Sequence, residues 1–251
     1  MSNPIDAGMR RSFVEKEEDL AWFFAFFHLP LAILAFIIFD IQFVFNLNTL
    51  FIVIGGMLWT IPSYFYFKSV EFESPSTVAL LAQMIPLCTL IIAYLFIGEA
   101  LSNIQLLAFF MILAGGILAA VKIKKNVFHF SKAFWFMLIA CMMWAASDVS
   151  FKQFELGFNG FVPAFTYYLL GSGIPALFLL LHPKKFKTAM TCFKKLPGNA
   201  WGALLLGRSA SLGGSLSLTY ALTLGKASLT LVIVGIQPIF ALLFGYILSI
   251  F

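Results

Sequence analysis

Eight runs of about twenty mostly apolar residues divide the chain, and short polar segments connect them. A helix rises about 1.5 Å per residue, so a run of about twenty residues crosses the roughly 30 Å hydrocarbon core of a bilayer. Hydrophobic residues make up 61% of the chain and charged residues 11%, which is too apolar for a water-soluble domain. We therefore predict an all-α integral membrane protein of about eight transmembrane helices. The runs lie at residues 20–39, 49–67, 76–97, 103–121, 133–151, 161–181, 200–221 and 227–250.

The basic residues are divided unevenly between the two ends of these runs, which we name face A and face B. Face A comprises the N-terminus and the loops at residues 68–75, 122–132 and 182–199. It carries thirteen of the sixteen Lys and Arg residues, whereas face B carries Lys152 and Lys226. The positive-inside rule places face A in the cytoplasm of a multi-pass protein of the cell membrane. Because the basic residues lie in short connecting loops, no nucleic-acid partner is expected.

Parts of the sequence match each other when the chain is shifted by 152 residues. Pro86 then falls on Pro238 and Tyr94 on Tyr246, and small residues coincide beside them. A second block matches at a shift of 145 residues. The paired helices are five spans apart, so they cross the membrane in opposite directions. The sequence therefore predicts two inverted-topology repeats, an arrangement typical of secondary transporters.

The stretches around these prolines resemble the EamA-like transporters of the drug/metabolite transporter superfamily. The first, PLCTLIIAYLFIGEALSNIQLLAFFMILAGGILAAVK, runs from a proline-bearing helix through Gly-Glu and a short turn into a glycine-rich helix. The second, ALTLGKASLTLVIVGIQPIFALLFGYILS, is similar up to the same point. The resemblance implies ten helices in two five-helix repeats. Residues 1–126 would form the first repeat without its first helix, and residues 127–251 the second without its last.

The resemblance also implies a central substrate pathway and export of an amino acid or related small metabolite by alternating access. Family members usually have both ends in the cytosol. A chain without the first helix would then start outside, so the opposite orientation stays open. The alternative function is a non-transporting membrane scaffold or sensor, or a truncated inactive fragment. The sequence contains no HExxH, GxSxG, Walker or GxGxxG motif, so we predict neither an enzyme nor a cofactor or metal site. The expected partners are a small-molecule substrate and the lipid bilayer, with a homodimer left open.

Arg208 is the most informative candidate for substrate binding, because it lies near the middle of an apolar run. A charge at the bilayer centre costs about 2.5–3.5 kcal/mol on insertion scales, so it is expected to face the bundle interior or water. It would hold an anionic substrate group or an internal carboxylate, the alternative being a snorkelling side chain. Further candidates for the substrate pocket, with ordinary packing as their alternative, are Gln83, Gln237, Trp59, Trp144, Tyr94 and Tyr246.

Four titratable residues are candidates for ion coupling or gating. Asp148 and Lys152 have i,i+4 spacing and are predicted to form a local ion pair, with proton coupling by Asp148 as the alternative. The family's Gly-Glu pattern implies a structural or gating role for Glu99. His28 either titrates near neutral pH or bonds a neighbouring helix. Prolines remove a backbone donor, and five of them are predicted helix hinges: Pro30, Pro62, Pro86, Pro175 and Pro238.

Overall fold

The computed structural model describes residues 25–120, 131–180 and 198–237, together with residues 191 and 240, although some side chains inside these ranges are outside the description. The described residues form helices and contain no strand. The helices are α1 (His28–Ile38), α2 (Leu47–Thr60), α3 (Pro62–Phe72), α4 (Pro75–Leu81), α5 (Met84–Ile97), α6 (Asn103–Ala120), α7 (Lys132–Glu155), α8 (Phe161–Leu180), α9 (Gly198–Leu224) and α10 (Ala227–Val234). The pairs α2/α3 and α4/α5 each form one interrupted span, so the order of eight spans predicted from the sequence is confirmed.

Four helical segments in the described part are long and apolar enough to cross a membrane. They are Leu47–Phe72, Thr77–Ile97, Lys132–Glu155 and Phe161–Phe178. The first begins two residues before the predicted run, because the side chain of Asn46 accepts a hydrogen bond from Thr49 N at 2.8 Å and caps the helix. The chain is an all-α integral membrane protein built from two inverted repeats.

The interruption between α2 and α3 coincides with the predicted hinge at Pro62. Proline has no N–H to donate, so the helix loses a bond in its backbone ladder there. The neighbouring carbonyl of Trp59 accepts a hydrogen bond from Nε1 of Trp144 on α7, at 2.9 Å. A partner helix thus supplies a donor to one carbonyl at the kink, as neighbouring helices do where a membrane protein tolerates an internal proline.

Helix α7 lies at the centre of the described bundle, against α2, α3 and α5, and α8 packs on α1 and α2. The contact between α2 and α8 depends on two glycines. A Cβ on Gly56 would overlap the carbonyl of Tyr168, and one on Gly171 would overlap the carbonyl of Val53. Small residues allow such close approach of two backbones in a membrane, where close packing stabilises the helix pair.

Candidate functional site

Two broken helices meet inside the bundle. The first break separates α4 from α5, and the second follows the end of α10 at Val234. Pro86 lies in the first turn of α5, just after the first break, and the second break likewise precedes position 238. A proline withholds a donor from the turn before it, so the same residue type explains both interruptions. Discontinuous helices near the bilayer midplane are typical of binding sites in transporters built from inverted repeats.

Gln83 and Gly235 lie at these breaks and are equivalent positions of the two repeats. They differ by 152 residues (235 − 83), as do the first residues of the two broken helices, Pro75 and Ala227 (227 − 75). A Cβ on Gly235 would lie 3.1 Å from Oε1 of Gln83, so the two positions are adjacent. Each lies about 12 Å along its helix from the start, and the two helices start at opposite faces. The axis relating the repeats therefore passes between them near the membrane centre, and we name this place the junction.

The junction contains a buried hydrogen-bond acceptor without a donor. The side chain of Gln83 is 8% exposed, and its Oε1 has no hydrogen-bond partner within the described residues. An unsatisfied buried polar group costs about 1–3 kcal/mol, so a donor arriving here would be stabilised. Gln237, the second glutamine predicted for the pocket, is exposed instead.

Ser147 of α7 faces α2 and α8. Ser147 Oγ donates to the carbonyl of Gly55 at 2.7 Å and lies 2.9 Å from the hydroxyl of Tyr168. The predicted aromatics Trp59 and Trp144 are brought together by the indole hydrogen bond described above, and the ring of Trp59 lies 6.5 Å from that of Tyr168. Ser147 and Tyr168 were missed in the sequence, because a serine or tyrosine in an apolar run carries no local signal of its partner.

Asp148 follows Ser147 and is the most buried charged residue of the described part, at 1% exposure. Its Oδ1 has no hydrogen-bond partner there. The predicted ion pair with Lys152 is not formed, because Nζ of Lys152 lies 2.9 Å from Oε2 of Glu99. Lys152 lies one turn closer to face B, where the end of α5 and the start of α10 offer it both a carboxylate and a carbonyl.

Glu99 is the centre of a bonded group at face B, which we name the Glu99 cluster: Glu99, Lys152, Lys226, Ala227 and Ser228. Besides Lys152, the carboxylate accepts hydrogen bonds from the backbone N–H groups of Ala227 (3.0 Å) and Ser228 (3.3 Å) and from Oγ of Ser228 (2.9 Å). These N–H groups are in the first turn of α10, where they have no partner within the helix and favour an anion. A carboxylate of one repeat thus caps a helix of the other.

The Glu99 cluster favours the ionised carboxylate despite its burial. Burial is the largest single influence and raises the pKa of Glu99, but the hydrogen bonds from Lys152, Ala227 and Ser228 and the charge of Lys152 together outweigh it. The pKa of Glu99 is therefore lowered from its ordinary value. Nζ of Lys152 also contacts the carbonyl of Gly225.

Lys226 extends the Glu99 cluster to α6. Its Nζ donates to the carbonyl of Ala100 at 2.6 Å and to Oε1 of Gln105 at 3.0 Å. Gln105 in turn accepts a hydrogen bond from the backbone N–H of Ser102 at 3.0 Å, at the start of α6. The cluster therefore joins α5, α6, α7 and α10 at face B.

The remaining predicted residues that the structure describes lie away from the junction. Tyr94 is 62% exposed and lines an open, mostly apolar groove of about 360 Å³ beside the end of α5. His28 is the first residue of α1, and its Nδ1 is 2.9 Å from Oγ of Ser172 on α8. Pro30 lies in the same first turn, and Pro175 lies inside α8. Outside the described residues are Pro238, Tyr246 and the side chain of Arg208.

Comparison with protein families agrees with this architecture. The model of the EamA-like transporter family matches residues 16–121 and 131–249, which together make up most of the chain. A comparison with curated proteins gave no significant match. The two matched stretches correspond to two consecutive copies of one unit, as expected for the repeats whose breaks meet at Gln83 and Gly235. The chain therefore belongs to the EamA-like transporter family of the drug/metabolite transporter superfamily, whose members are membrane transporters of small molecules.

Proposed function

We propose that this chain exports an amino acid or a related small metabolite across the cell membrane by alternating access, and that the substrate binds at the junction. The observation that carries the proposal is the meeting of two symmetry-related helix breaks around the unpaired Oε1 of Gln83. Inverted repeats place such breaks at the midplane, where a site is reached from either face as one repeat rocks against the other.

The chemistry of the junction favours a substrate with an N–H donor and an apolar part. Oε1 of Gln83 is an acceptor, and it is satisfied by an ammonium, amide or hydroxyl group. The side chains of Leu81, Met84 and Ile85 surround the same break and pack against the core. An amino acid offers both an ammonium group for the acceptor and a side chain for the apolar surroundings. Export is the direction that the family resemblance favours.

The Glu99 cluster is closed in the conformation described. It bonds the end of α5 and the end of α7 to the start of α10, so face B is held together beside the junction. In the proposed cycle the cluster separates when the site opens to face B, which we assign to the outside from the positive-inside count, and it forms again when the site opens to face A.

A ligand-binding screen tests the proposal. Purified protein is melted in the presence of each amino acid and of chemically related compounds, because a ligand that binds the folded state raises its melting temperature. Gln83→Leu removes the unpaired acceptor, and Gln237→Leu is the matched control, since it changes an exposed glutamine near the second break.

The proposal expects at least one compound to stabilise the wild type and the Gln237→Leu variant, and to lose its effect in Gln83→Leu. A compound that stabilises wild type and Gln83→Leu equally would move the binding site away from the junction. If no compound from the panel stabilises well-folded wild type, the assignment of the substrate class is wrong.

A further inference from the structure

Asp148 is a carboxylic acid for which the described part of the bundle provides no counter-ion. It is 1% exposed, and its Oδ1 accepts no hydrogen bond there. The nearby donors are already used, since Ser147 Oγ donates to Gly55 and Trp144 Nε1 to Trp59. An isolated buried carboxylate is so costly that it takes up a proton instead of remaining charged.

The helices that pack against α7 offer few groups able to neutralise Asp148. Helices α2, α4 and α10 carry no ionisable side chain. Ionisable side chains in the cores shared with α7 come from α3 (Tyr66), α5 (Cys88) and α8 (Tyr167 and Tyr168). Helix α3 also carries Lys68, whose Nζ lies 3.1 Å from Oε2 of Glu71 on the same helix. The ordinary pKa values of tyrosine and cysteine lie above neutral pH, so both side chains are uncharged there and supply no positive charge. On α9 the side chain of Arg208 is outside the described residues, so it enters the test as a control.

Among the described side chains, Lys152 is a cation placed to reach Asp148. The two residues are four apart on α7, and such positions lie about 5–6 Å apart between Cβ atoms. In the conformation described, Lys152 reaches past the helix end to Glu99 instead. Its four-carbon stem allows either direction, so Glu99 and Asp148 compete for one ammonium group.

We propose that Asp148 is a proton-binding site whose occupancy is controlled by Lys152. While the Glu99 cluster is closed, Lys152 binds Glu99 and Asp148 carries a proton. When the cluster opens, Lys152 turns to Asp148, the carboxyl group releases its proton to water entering from face B, and a carboxylate–ammonium pair forms. Opening of face B and release of one proton are thus two consequences of the same movement. The use of this movement in transport rests on the proposed alternating-access function.

Infrared spectroscopy of the purified protein in liposomes tests this switch without any substrate. A protonated carboxyl group has a C=O stretching band distinct from that of a carboxylate, and the spectrum of wild type minus that of Asp148→Asn isolates the contribution of Asp148. Asp148→Leu, which is similar in size, provides a second subtraction if the asparagine variant is unstable. Glu99→Gln releases Lys152, Lys152→Met removes the cation, and Glu155→Gln is the matched control at the same end of α7.

At pH 7 the proposal expects the protonated band of Asp148 in wild type, in Lys152→Met, in Glu155→Gln and in Arg208→Gln. It expects loss of the band in Glu99→Gln and its return in the double variant Glu99→Gln/Lys152→Met. Absence of the band in wild type would overturn the proposal that Asp148 binds a proton. A band that persists in Glu99→Gln, or that changes with Arg208→Gln, would overturn control by Lys152. None of these results depends on transport, so failure of this inference and failure of the proposed function are distinguishable.

Discussion

Glu99→Ala should destabilise the folded protein by about 3 kcal/mol, because it removes the acceptor around which face B is assembled. The carboxylate receives donors from Lys152, Ala227 and Ser228, and its side chain is only 7% exposed. Removing one partner of a buried ion pair costs about 3–5 kcal/mol. Lys152 is 22% exposed, so water can partly solvate the ammonium that is left behind. The expected loss of stability therefore lies at the lower end of this range.

The consequence is measurable as a lower melting temperature of the purified protein. For a chain of this size, 1 kcal/mol corresponds to about 2–4 °C, so Glu99→Ala should melt about 6–12 °C below wild type. Glu99→Gln keeps the size and one acceptor and should cost about 1–2 kcal/mol. Lys152→Met should cost much less in the Glu99→Gln background than in wild type, since the two residues share one interaction.

Glu155→Ala is the control for this prediction, because it removes a carboxylate one turn beyond Lys152 and outside the Glu99 cluster. It should stay within about 0.5 kcal/mol of wild type, as surface substitutions usually do. Equal melting temperatures of Glu99→Ala and Glu155→Ala would show that the Glu99 carboxylate does not stabilise face B. Strict additivity of Glu99→Gln and Lys152→Met would show that their contact contributes nothing.

Four further predictions concern stability. Because the pKa of Glu99 is lowered, the contribution of Glu99 to stability is fully present above the ordinary carboxyl pKa of about 4.3 and is lost as the pH falls through the lowered value. The difference in melting temperature between wild type and Glu99→Gln should therefore shrink when melting is repeated below about pH 4. Gly56→Ala should cost about 1–3 kcal/mol in thermal melting, because the new methyl group overlaps the backbone of α8. Gly213→Ala, with nothing within 4 Å of the new Cβ, should be neutral or stabilise by up to about 1 kcal/mol. Trp144→Phe leaves the carbonyl of Trp59 without its donor and should cost about 1–2 kcal/mol, measured by chemical or thermal unfolding.

The sequence contains enough to predict the membrane class, the order of spans and the pairing of the repeats. Apolar runs define spans directly, and the shift of 152 residues relates Gln83 to Gly235 through residue identities alone. The prolines that mark this shift are also the cause of the helix breaks, so the junction follows from local chemistry. What the sequence pattern does not supply is the adjacency of the two breaks, since that depends on how the repeats pack.

The partner of Lys152 shows why side-chain contacts were harder to predict. Asp148 has the right spacing on the same helix, whereas Glu99 is 53 residues away in the chain. Local spacing offers only a few tenths of a kcal/mol, and packing that brings the end of α5 to the end of α7 overrides it. For the same reason the predicted pocket residues Gln237 and Tyr94 are exposed, since an apolar run does not tell which of its faces meets the bundle.

Flux through reconstituted liposomes directly tests whether a substrate crosses the membrane through the junction. Liposomes containing wild type, Gln83→Leu or Gln237→Leu are loaded with labelled amino acids, and the label remaining inside is followed with time. We expect saturable loss of at least one amino acid with wild type and Gln237→Leu, and none above empty liposomes with Gln83→Leu. Equal flux through wild type and Gln83→Leu, or no flux through folded wild type for any member of the panel, would contradict this expectation.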